Sequence, residues 1–233
     1  MIKALTVVAG DIYEALAEIA VPFVAKHTGI EPIVIRPDFP AEAGKSERHL
    51  AIVNARHRAL LEIEEPVLCF DVDWLLLRPW NISEYENTDG FHAYREDLGR
   101  QSDWARTDAQ RLGVPYFNAG VFIIGRDKRP LELMLRVSNE ELGFQGTGDQ
   151  SRLNWSLKQL EFPTYPLHQT YNKFVRGDDP WYPDGVIGVH IMGTPEMKLE
   201  GARFIVQEEI RRQKLRDSGK PVSTKRLRRP AKT

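Results

Sequence analysis

The sequence lacks the features that mark disulfide-rich secreted proteins and membrane proteins. It has a single cysteine, Cys69, so it cannot form an internal disulfide. It has no run of about 18 apolar residues, the length that a membrane-spanning helix requires. Residues 1–16 hold one lysine, a short apolar run and then acidic residues, a pattern unlike a secretory signal. We therefore expect a cytoplasmic protein in which Cys69 only packs in the interior.

The net charge is small, but the charged residues are unevenly distributed along the chain. The 233 residues carry a formal net charge of −1. Residues 1–207 hold 22 Lys and Arg against 30 Asp and Glu, whereas residues 208–233 hold 10 against 3. We expect one main domain over residues 1–205, followed by a basic helix or tail over residues 206–233. Such a tail can bind the inner face of an anionic membrane electrostatically, contact nucleic-acid phosphate, or have no partner.

Apolar periodicity predicts strands and helices in alternation. The first 70 residues read, in order, as a strand over 4–9, a helix over 13–24 that ends at Gly29, a strand over 32–35, a helix capped by Ser46 and a strand over 67–70. The later elements are a strand over 120–124, helices over 131–142 and 149–160, and a strand over 186–191. This order predicts an α/β fold with a mainly parallel sheet, whose ligands gather at the carboxyl ends of the strands.

Two aspartates, Asp71 and Asp73, follow directly after the apolar strand VLCF. Acids spaced two residues apart on a strand point the same way, so both carboxylates can bind one ion. Hard divalent cations such as Mg²⁺ and Mn²⁺ prefer such oxygen ligands. The competing interpretation is a pair of solvated acids in a turn.

Four short motifs follow this D-x-D pair. They are FNAG at 117–120, DQSRLN at 149–154, PLHQTYN at 166–172 and HIMGTPEMK at 190–198. In this order they resemble the nucleotide-diphospho-sugar glycosyltransferases of the GT-A fold, in particular glycosyltransferase family 8, which includes glycogenin and bacterial galactosyltransferases. The resemblance spans residues 4–198 and implies one GT-A domain, a Rossmann-like twisted sheet flanked by helices.

The resemblance implies a metal site. In the family the D-x-D pair and a later histidine bind Mn²⁺, which points to Asp71, Asp73 and His190 as ligands of Mn²⁺ or Mg²⁺. The ion offsets charge that forms on the nucleoside diphosphate as the sugar departs. Taken by itself, His190 fits a strand histidine that is hydrogen-bonded in the core.

The resemblance also implies nucleobase contacts, with Asp11 accepting a hydrogen bond from uracil and Tyr13 stacking on the ring. A helix N-cap aspartate and a packed tyrosine are the competing interpretations. Arg56 resembles a basic residue that faces the diphosphate, and Arg48 or Arg58 would serve the same purpose. An exposed helix arginine is the alternative for Arg56.

The last motif departs from the family pattern. The family commonly has H-x-x-G-x-x-K, with the glycine and the lysine binding the diphosphate. Gly193 fits this spacing, whereas Lys198 comes two residues late, so a longer loop must bring it to a phosphate.

Three residues are implied to hold the transferred sugar. The amide of Asn118 contacts sugar hydroxyls, Asp149 holds a hydroxyl, and Gln150 lies under the reacting carbon. Helix capping is the alternative role for Asp149. Because an amide is a poor nucleophile, we expect the acceptor hydroxyl to attack along the departing phosphate, with retention of configuration.

The sequence thus predicts a metal-dependent glycosyltransferase that moves a sugar from a nucleotide diphosphate sugar, a UDP-hexose, to a hydroxyl acceptor. The acceptor is a saccharide, a lipid-linked sugar, a protein or a nucleic acid. One alternative is a haloacid-dehalogenase-like Mg²⁺-dependent phosphatase, because FDVDW at 70–74 and RGDD at 176–179 resemble its acidic motifs. A second alternative is a nucleotide-sugar-binding protein without catalytic activity.

Overall fold

The alternating strand and helix patterns of the sequence are borne out in the computed structural model, which describes residues 1–40, 42–97, 103–113, 115–144 and 149–222. The strands are β1 (Lys3–Val7), β2 (Ile33–Ile35), β3 (Val67–Phe70), β4 (Trp74–Leu76), β5 (Phe91–Arg95), β6 (Phe117–Ile124), β7 (Thr164–Leu167), β8 (Lys173–Arg176) and β9 (Gly188–Met192). The α-helices are α1 (Asp11–Thr28), α2 (Lys45–Leu61), α3 (Asp103–Leu112), α4 (Arg129–Leu135), α5 (Gln150–Gln159) and α6 (Pro195–Asp217), and a short 3₁₀ helix covers Ile82–Tyr85.

The chain divides into two compact units, and the first holds a six-stranded sheet. This unit comprises Met1–Ala9, Pro32–Asp71 and Asn81–Leu167. The strand order is β2-β1-β3-β6-β5-β7. Strand β1 pairs in parallel with β2 and β3, and β5 pairs in parallel with β7, whereas β6 runs antiparallel to both of its neighbours. The α/β fold with a mainly parallel sheet that was predicted from the sequence is therefore confirmed, and the antiparallel β6 makes the sheet mixed.

Strand β3 lies near the middle of this sheet and brings the first aspartate to its end. All four of its residues are buried, as a strand covered on both faces requires. Phe70 pairs with Val121 of β6, and the next residue, Asp71, still donates its backbone N–H to the carbonyl of Gly120 at 2.7 Å. The backbone at Asp71 is therefore fixed by the sheet while its side chain leaves the core.

The second unit comprises Gly10–Glu31, Val72–Trp80 and the chain from residue 168 onwards. Its sheet has the order β4-β9-β8, with β9 antiparallel to β4 and parallel to β8, and helix α1 packs against β4 and α6. Gly177 follows β8 and lies against the first turn of α6. A Cβ atom there would lie 2.2 Å from the carbonyl oxygen of Met197, so only glycine permits this close approach.

The boundaries of α1 confirm one expectation and correct another. Gly29 ends the helix in the left-handed conformation with φ 73°, as predicted. The helix begins earlier than predicted, and Gly10, not Asp11, is its N-cap, with φ 91°. The interpretation of Asp11 as a helix N-cap is therefore wrong. Asp11 lies inside the first turn, where a carboxylate interacts favourably with the helix dipole.

Two other helix predictions are wrong in detail. Helix α2 is capped at Gly44 and not at Ser46, because the carboxylate of Glu47 accepts the backbone N–H of Gly44 at 2.8 Å. Helix α4 ends at Leu135 instead of continuing to residue 142. Shortly beyond this end, Ser138 and Glu141 exchange side-chain to backbone hydrogen bonds, which compete with the helical pattern.

Helix α6 is continuous from Pro195 to Asp217. The expected boundary between a domain over 1–205 and a basic helix or tail over 206–233 falls inside this helix, and that division stays a prediction. Residues 223–233, which carry much of the tail's positive charge, lie outside the described residues. Among the helices that are described, none combines the length and the apolar character that crossing a membrane would take.

Candidate active site

Asp73 lies beside His190 because two strands of the second unit are paired there. In the β4–β9 ladder, Trp74 is the partner of His190, and the backbone N–H of Ile191 donates to the carbonyl of Asp73 at 2.9 Å. Both side chains are buried, and Oδ1 of Asp73 lies 3.1 Å from Nε2 of His190. The pairing of non-adjacent segments therefore places an acid and an imidazole next to each other.

The surroundings of His190 set the orientation of its ring. Nδ1 lies 3.2 Å from Oδ1 of Asn172, and the ring stacks on Phe174 at 5.2 Å between centroids. With Nδ1 donating its proton to Asn172, the ring can carry a second proton on Nε2, which donates to Asp73. Loss of that second proton leaves a lone pair on Nε2 that can bind a metal ion. Oδ1 of Asp73 is buried and faces Nε2 of His190. In the deprotonated form of Nε2, Oδ1 of Asp73 and Nε2 of His190 are two ligand atoms that can bind the same cation.

Lys198 approaches the other oxygen of the same carboxylate. Its Nζ atom lies 2.6 Å from Oδ2 of Asp73. Burial by itself would raise the pKa of Asp73, but a protonated His190 and Lys198 outweigh it and hold that pKa well below its ordinary value. Asp73 is therefore an anion at neutral pH.

The turn between β9 and α6 brings Lys198 to this position despite its late place in the motif. Gly193 has φ 131°, a backbone conformation that residues with side chains rarely adopt. Thr194 is the N-cap of α6 and accepts the backbone N–H of Met197 at 3.4 Å, and Pro195 begins the helix. The two residues by which this motif is longer than the family pattern thus form part of the capped first turn of α6.

Asp71 completes a group of three metal-type ligands. Asp71, Asp73 and His190 each offer one ligand atom, and these atoms all lie within 4.8 Å of one another. The three residues that the sequence analysis named as metal ligands are therefore close together. Two carboxylate oxygens and an imidazole nitrogen suit a hard or borderline divalent cation such as Mn²⁺ or Mg²⁺.

Arg56 occupies the interior of the first unit and binds two acids. It is 7% exposed, so the interpretation as an exposed helix arginine is wrong. Its Nη1 donates to Oδ1 of Asp71 at 2.8 Å, and its Nη2 donates to Oδ2 of Asp149. Burial alone would lower the pKa of Arg56, but Asp149 above all raises it, so the guanidinium stays charged.

Asp149 is held by two residues of α2. It is the N-cap of α5 by position, yet its side chain makes no capping hydrogen bond. Its carboxylate instead contacts Arg56 and lies 3.2 Å from Nε2 of His57, whose Nδ1 lies 2.7 Å from the carbonyl oxygen of Val53. Burial would raise the pKa of Asp149, but Arg56 and His57 hold it well below its ordinary value. The capping interpretation is wrong for the carboxylate, and the contact with His57 was not predicted from the sequence.

Asn118 and Gln150 meet next to a buried acid that the sequence analysis missed. Nδ2 of Asn118 donates to Oε1 of Glu96 at 2.8 Å and to Oε1 of Gln150 at 3.3 Å. Glu96 follows β5, the neighbour of β6, and its backbone N–H donates to the carbonyl of Tyr116. The sequence analysis predicted no strand before Glu96, and the pairing of β5 with β6 that brings Glu96 to Asn118 is not visible in the sequence.

The two residues that the resemblance assigned to a nucleobase lie at the start of α1. Asp11 is exposed and Tyr13 is half-buried, in the first turn after Gly10. Both are therefore available to a ligand, and their roles stay a prediction.

Comparisons with known proteins give matches by structure. No family model and no curated protein matches the sequence. The crystal structure of galactosyltransferase LgtC in complex with donor and acceptor sugar analogues aligns with a TM-score of 0.55 and 18% identity, over 88% of this chain and 96% of LgtC. Two structures of the glycosyltransferase GlyE of Streptococcus pneumoniae TIGR4 align with TM-scores of 0.56 and 0.59 and identities of 17% and 16%. They cover 91% and 97% of this chain but 64% and 67% of GlyE.

This chain therefore spans nearly all of LgtC and about two thirds of GlyE. At such low identity the likeness concerns the fold, because one fold can carry many functions. The protein has the GT-A fold that these two glycosyltransferases share.

Proposed function

We propose that this protein is a metal-dependent glycosyltransferase that moves a hexose from a UDP-sugar to a hydroxyl acceptor with retention of configuration. The observation that carries the proposal is the Asp71, Asp73 and His190 group with Lys198 beside it. Such a group combines ligands for a divalent cation with a fixed ammonium, and both suit a diphosphate. Because the protein has the fold of a known galactosyltransferase, we interpret this group as a site for sugar transfer.

The donor set fits the cation that the function requires. The buried Oδ1 of Asp73 lies 3.1 Å from Nε2 of His190, and the imidazole of His190 is oriented by Asn172. A bound Mn²⁺ or Mg²⁺ would supply positive charge that offsets the charge developing on the diphosphate leaving group.

The protein's own side chains divide the remaining work. Lys198 offers a charged hydrogen bond to a phosphate oxygen, and Gly193 allows the backbone to turn close to it. Asp11 and Tyr13 bind the nucleobase, the first by accepting a hydrogen bond and the second by stacking. These four residues hold the nucleotide end of the donor.

The sugar end is held by Asn118, Asp149 and Gln150. Asp149 is an anion because Arg56 and His57 hold its pKa down, so it can accept hydrogen bonds from sugar hydroxyls. Arg56, which the resemblance aimed at the diphosphate, acts here by keeping Asp149 charged and in place. The amide of Gln150 is a poor nucleophile, which favours attack by the acceptor hydroxyl on the face from which the diphosphate leaves.

A thermal-shift panel tests the proposal. UDP-glucose, UDP-galactose, other UDP-sugars and UDP are each added with and without Mn²⁺, because a ligand that binds only the folded state raises its melting temperature. We expect a rise that requires Mn²⁺ and the UDP group together, and slow hydrolysis of the matching UDP-sugar. Absence of any such shift across the panel would refute the assignment.

Two variants localise the effect. Asp73→Asn removes a charge from the proposed ligand set at nearly constant size, and we expect it to abolish the Mn²⁺-dependent shift. Asp178→Asn is the matched control, because Asp178 is exposed and forms an ion pair with Arg176. A normal shift in Asp73→Asn would place the metal elsewhere.

The same panel separates the two alternatives. A phosphatase would be stabilised by beryllium fluoride with Mg²⁺, whereas a transferase would not. A sugar-nucleotide-binding protein would show the UDP-sugar shift without hydrolysis or transfer. Arg176 and Asp178, part of the proposed second motif of the phosphatase, form an exposed ion pair with each other.

A further inference from the structure

We propose that Glu96 is a positioning residue that orients the side-chain amides of Asn118 and Gln150 for the transferred sugar. This inference rests on the proposed function. Glu96 is 6% exposed, and Oε1 of its carboxylate faces the NH₂ groups of both amides, at 2.8 Å from Asn118 and 3.5 Å from Gln150.

The carbonyl ends of both amides are fixed by backbone donors. Oδ1 of Asn118 accepts the backbone N–H of Gly120 at 3.0 Å, and Oε1 of Gln150 accepts the backbone N–H of Ala119 at 3.1 Å. Strand β6 therefore determines which end of each amide is the oxygen. Both NH₂ groups must then point away from β6, where a buried donor needs an acceptor.

Glu96 provides that acceptor for both groups at once. An ionised carboxylate only accepts hydrogen bonds. If either amide were flipped, its oxygen would face the carboxylate of Glu96 and no hydrogen bond could form. The backbone of β6 therefore holds the oxygen end of each amide and Glu96 holds the NH₂ end, so each amide is held at both ends. Nδ2 of Asn118 also donates to Oε1 of Gln150 at 3.3 Å, so the two amides and the carboxylate form one hydrogen-bond network.

Removal of Glu96 should then disorder the amides without touching the nucleotide-binding residues. We expect Glu96→Ala to lower kcat by about 100-fold, the loss that follows a misplacement of about 1 Å at a reacting centre. We expect KM for the donor to stay within about threefold and the melting-temperature rise with UDP and Mn²⁺ to be unchanged, because those contacts are made by other residues.

Two further variants separate positioning from stability. Glu96→Gln keeps an acceptor oxygen at the same place, and we expect it to recover about tenfold of the lost kcat. Glu209→Gln is the matched control, a buried carboxylate (7% exposed) that accepts from Tyr182 and Arg78. It should lower the melting temperature and leave kcat unchanged.

A measurement without turnover tests the orientation directly. The side-chain NH₂ signals of Asn118 and Gln150 are identified in ¹⁵N spectra by their loss in Asn118→Ala and Gln150→Ala. In Glu96→Ala we expect both sets of amide protons to exchange with water about tenfold faster or more. Unchanged exchange overturns the positioning role whatever the activity.

The two proposals can fail separately. If the wild-type protein transfers or hydrolyses a UDP-sugar but Glu96→Ala has wild-type kcat, the role of Glu96 is refuted and the transferase stands. If the wild-type protein binds and turns over no nucleotide sugar, the transferase is refuted. Exchange of the amide protons then decides the orientation by Glu96 alone.

Discussion

The ammonium nitrogen of Lys198 lies 2.6 Å from Oδ2 of Asp73, so a lysine at the start of α6 neutralises an acid that lies between β3 and β4. The other oxygen of the same carboxylate faces His190. The two oxygens of Asp73 therefore have different partners. Oδ2 binds the ammonium group of Lys198, whereas Oδ1 and Nε2 of His190 together suit a metal ion.

Lys198→Ala should weaken the binding of UDP in the presence of Mn²⁺ by about tenfold or more, since a hydrogen bond to a charged group contributes about 1.5–3 kcal/mol. Isothermal titration calorimetry measures this affinity. Lys198→Arg keeps the charge and should bind more tightly than Lys198→Ala. Lys214→Ala, on an exposed part of α6, is the control and should bind as the wild type does. Equal affinities for the wild type and Lys198→Ala would contradict a phosphate-binding role.

Arg56 and Asp149 should be strongly coupled in stability. Arg56→Gln leaves Asp149 buried with one charged partner fewer, and Asp149→Asn does the same to Arg56, so each should lower the free energy of unfolding by about 3–5 kcal/mol. The double variant should lose clearly less than the two singles together, which urea unfolding measures. Arg58→Gln, at the exposed position two residues along α2, should change the free energy by less than about 0.5 kcal/mol. Additive effects in the double variant would show that the pair does not interact.

The stability of the protein should depend on acid pH through Asp149. The folded-state pKa of Asp149 lies below its unfolded value, so the folded state binds fewer protons in that range. The contribution is complete above the unfolded pKa of about 3.9 and is lost as the pH falls toward the folded pKa. Between pH 5 and pH 2.5 the wild type should therefore lose more free energy of unfolding than Asp149→Asn. Urea titrations at a series of pH values test this, and parallel curves for the two proteins would refute it.

Cys69 should be inert in the folded protein. It is fully buried in β3, and burial raises the pKa of its thiol to about 12, so thiolate is scarce at neutral pH. With a thiol-reactive disulfide reagent at pH 8, we expect the reaction to be about 1,000-fold slower or more than in urea, since it must await opening of the core. Ser218→Cys, at an exposed position after α6, is the control and should react at once. Rapid labelling of the wild type would mean that β3 opens readily.

Local features of the fold were well predicted from the sequence. Strand β3 begins and ends at the predicted residues, and Gly29 closes α1, because both follow from short-range patterns of apolar residues and glycine. Helix starts were less reliable. At α1 and α2 a glycine took the N-cap position from a nearby polar residue, since the chain entering each helix also has to leave a strand or loop at a given angle.

For the site, sequence alone determined that two acids follow a buried strand and that a histidine, a glycine and a lysine come together much later in the chain. It could not determine which charges compensate each other. Arg56 meets Asp71 across 15 residues and Asp149 across 93, and Glu96 meets Asn118 across 22. Such partners are chosen by strand order and helix packing, because an ion pair depends on distance in space. The tertiary structure alone therefore decided that Arg56 is buried between two acids and that Glu96 lies beside Asn118 and Gln150.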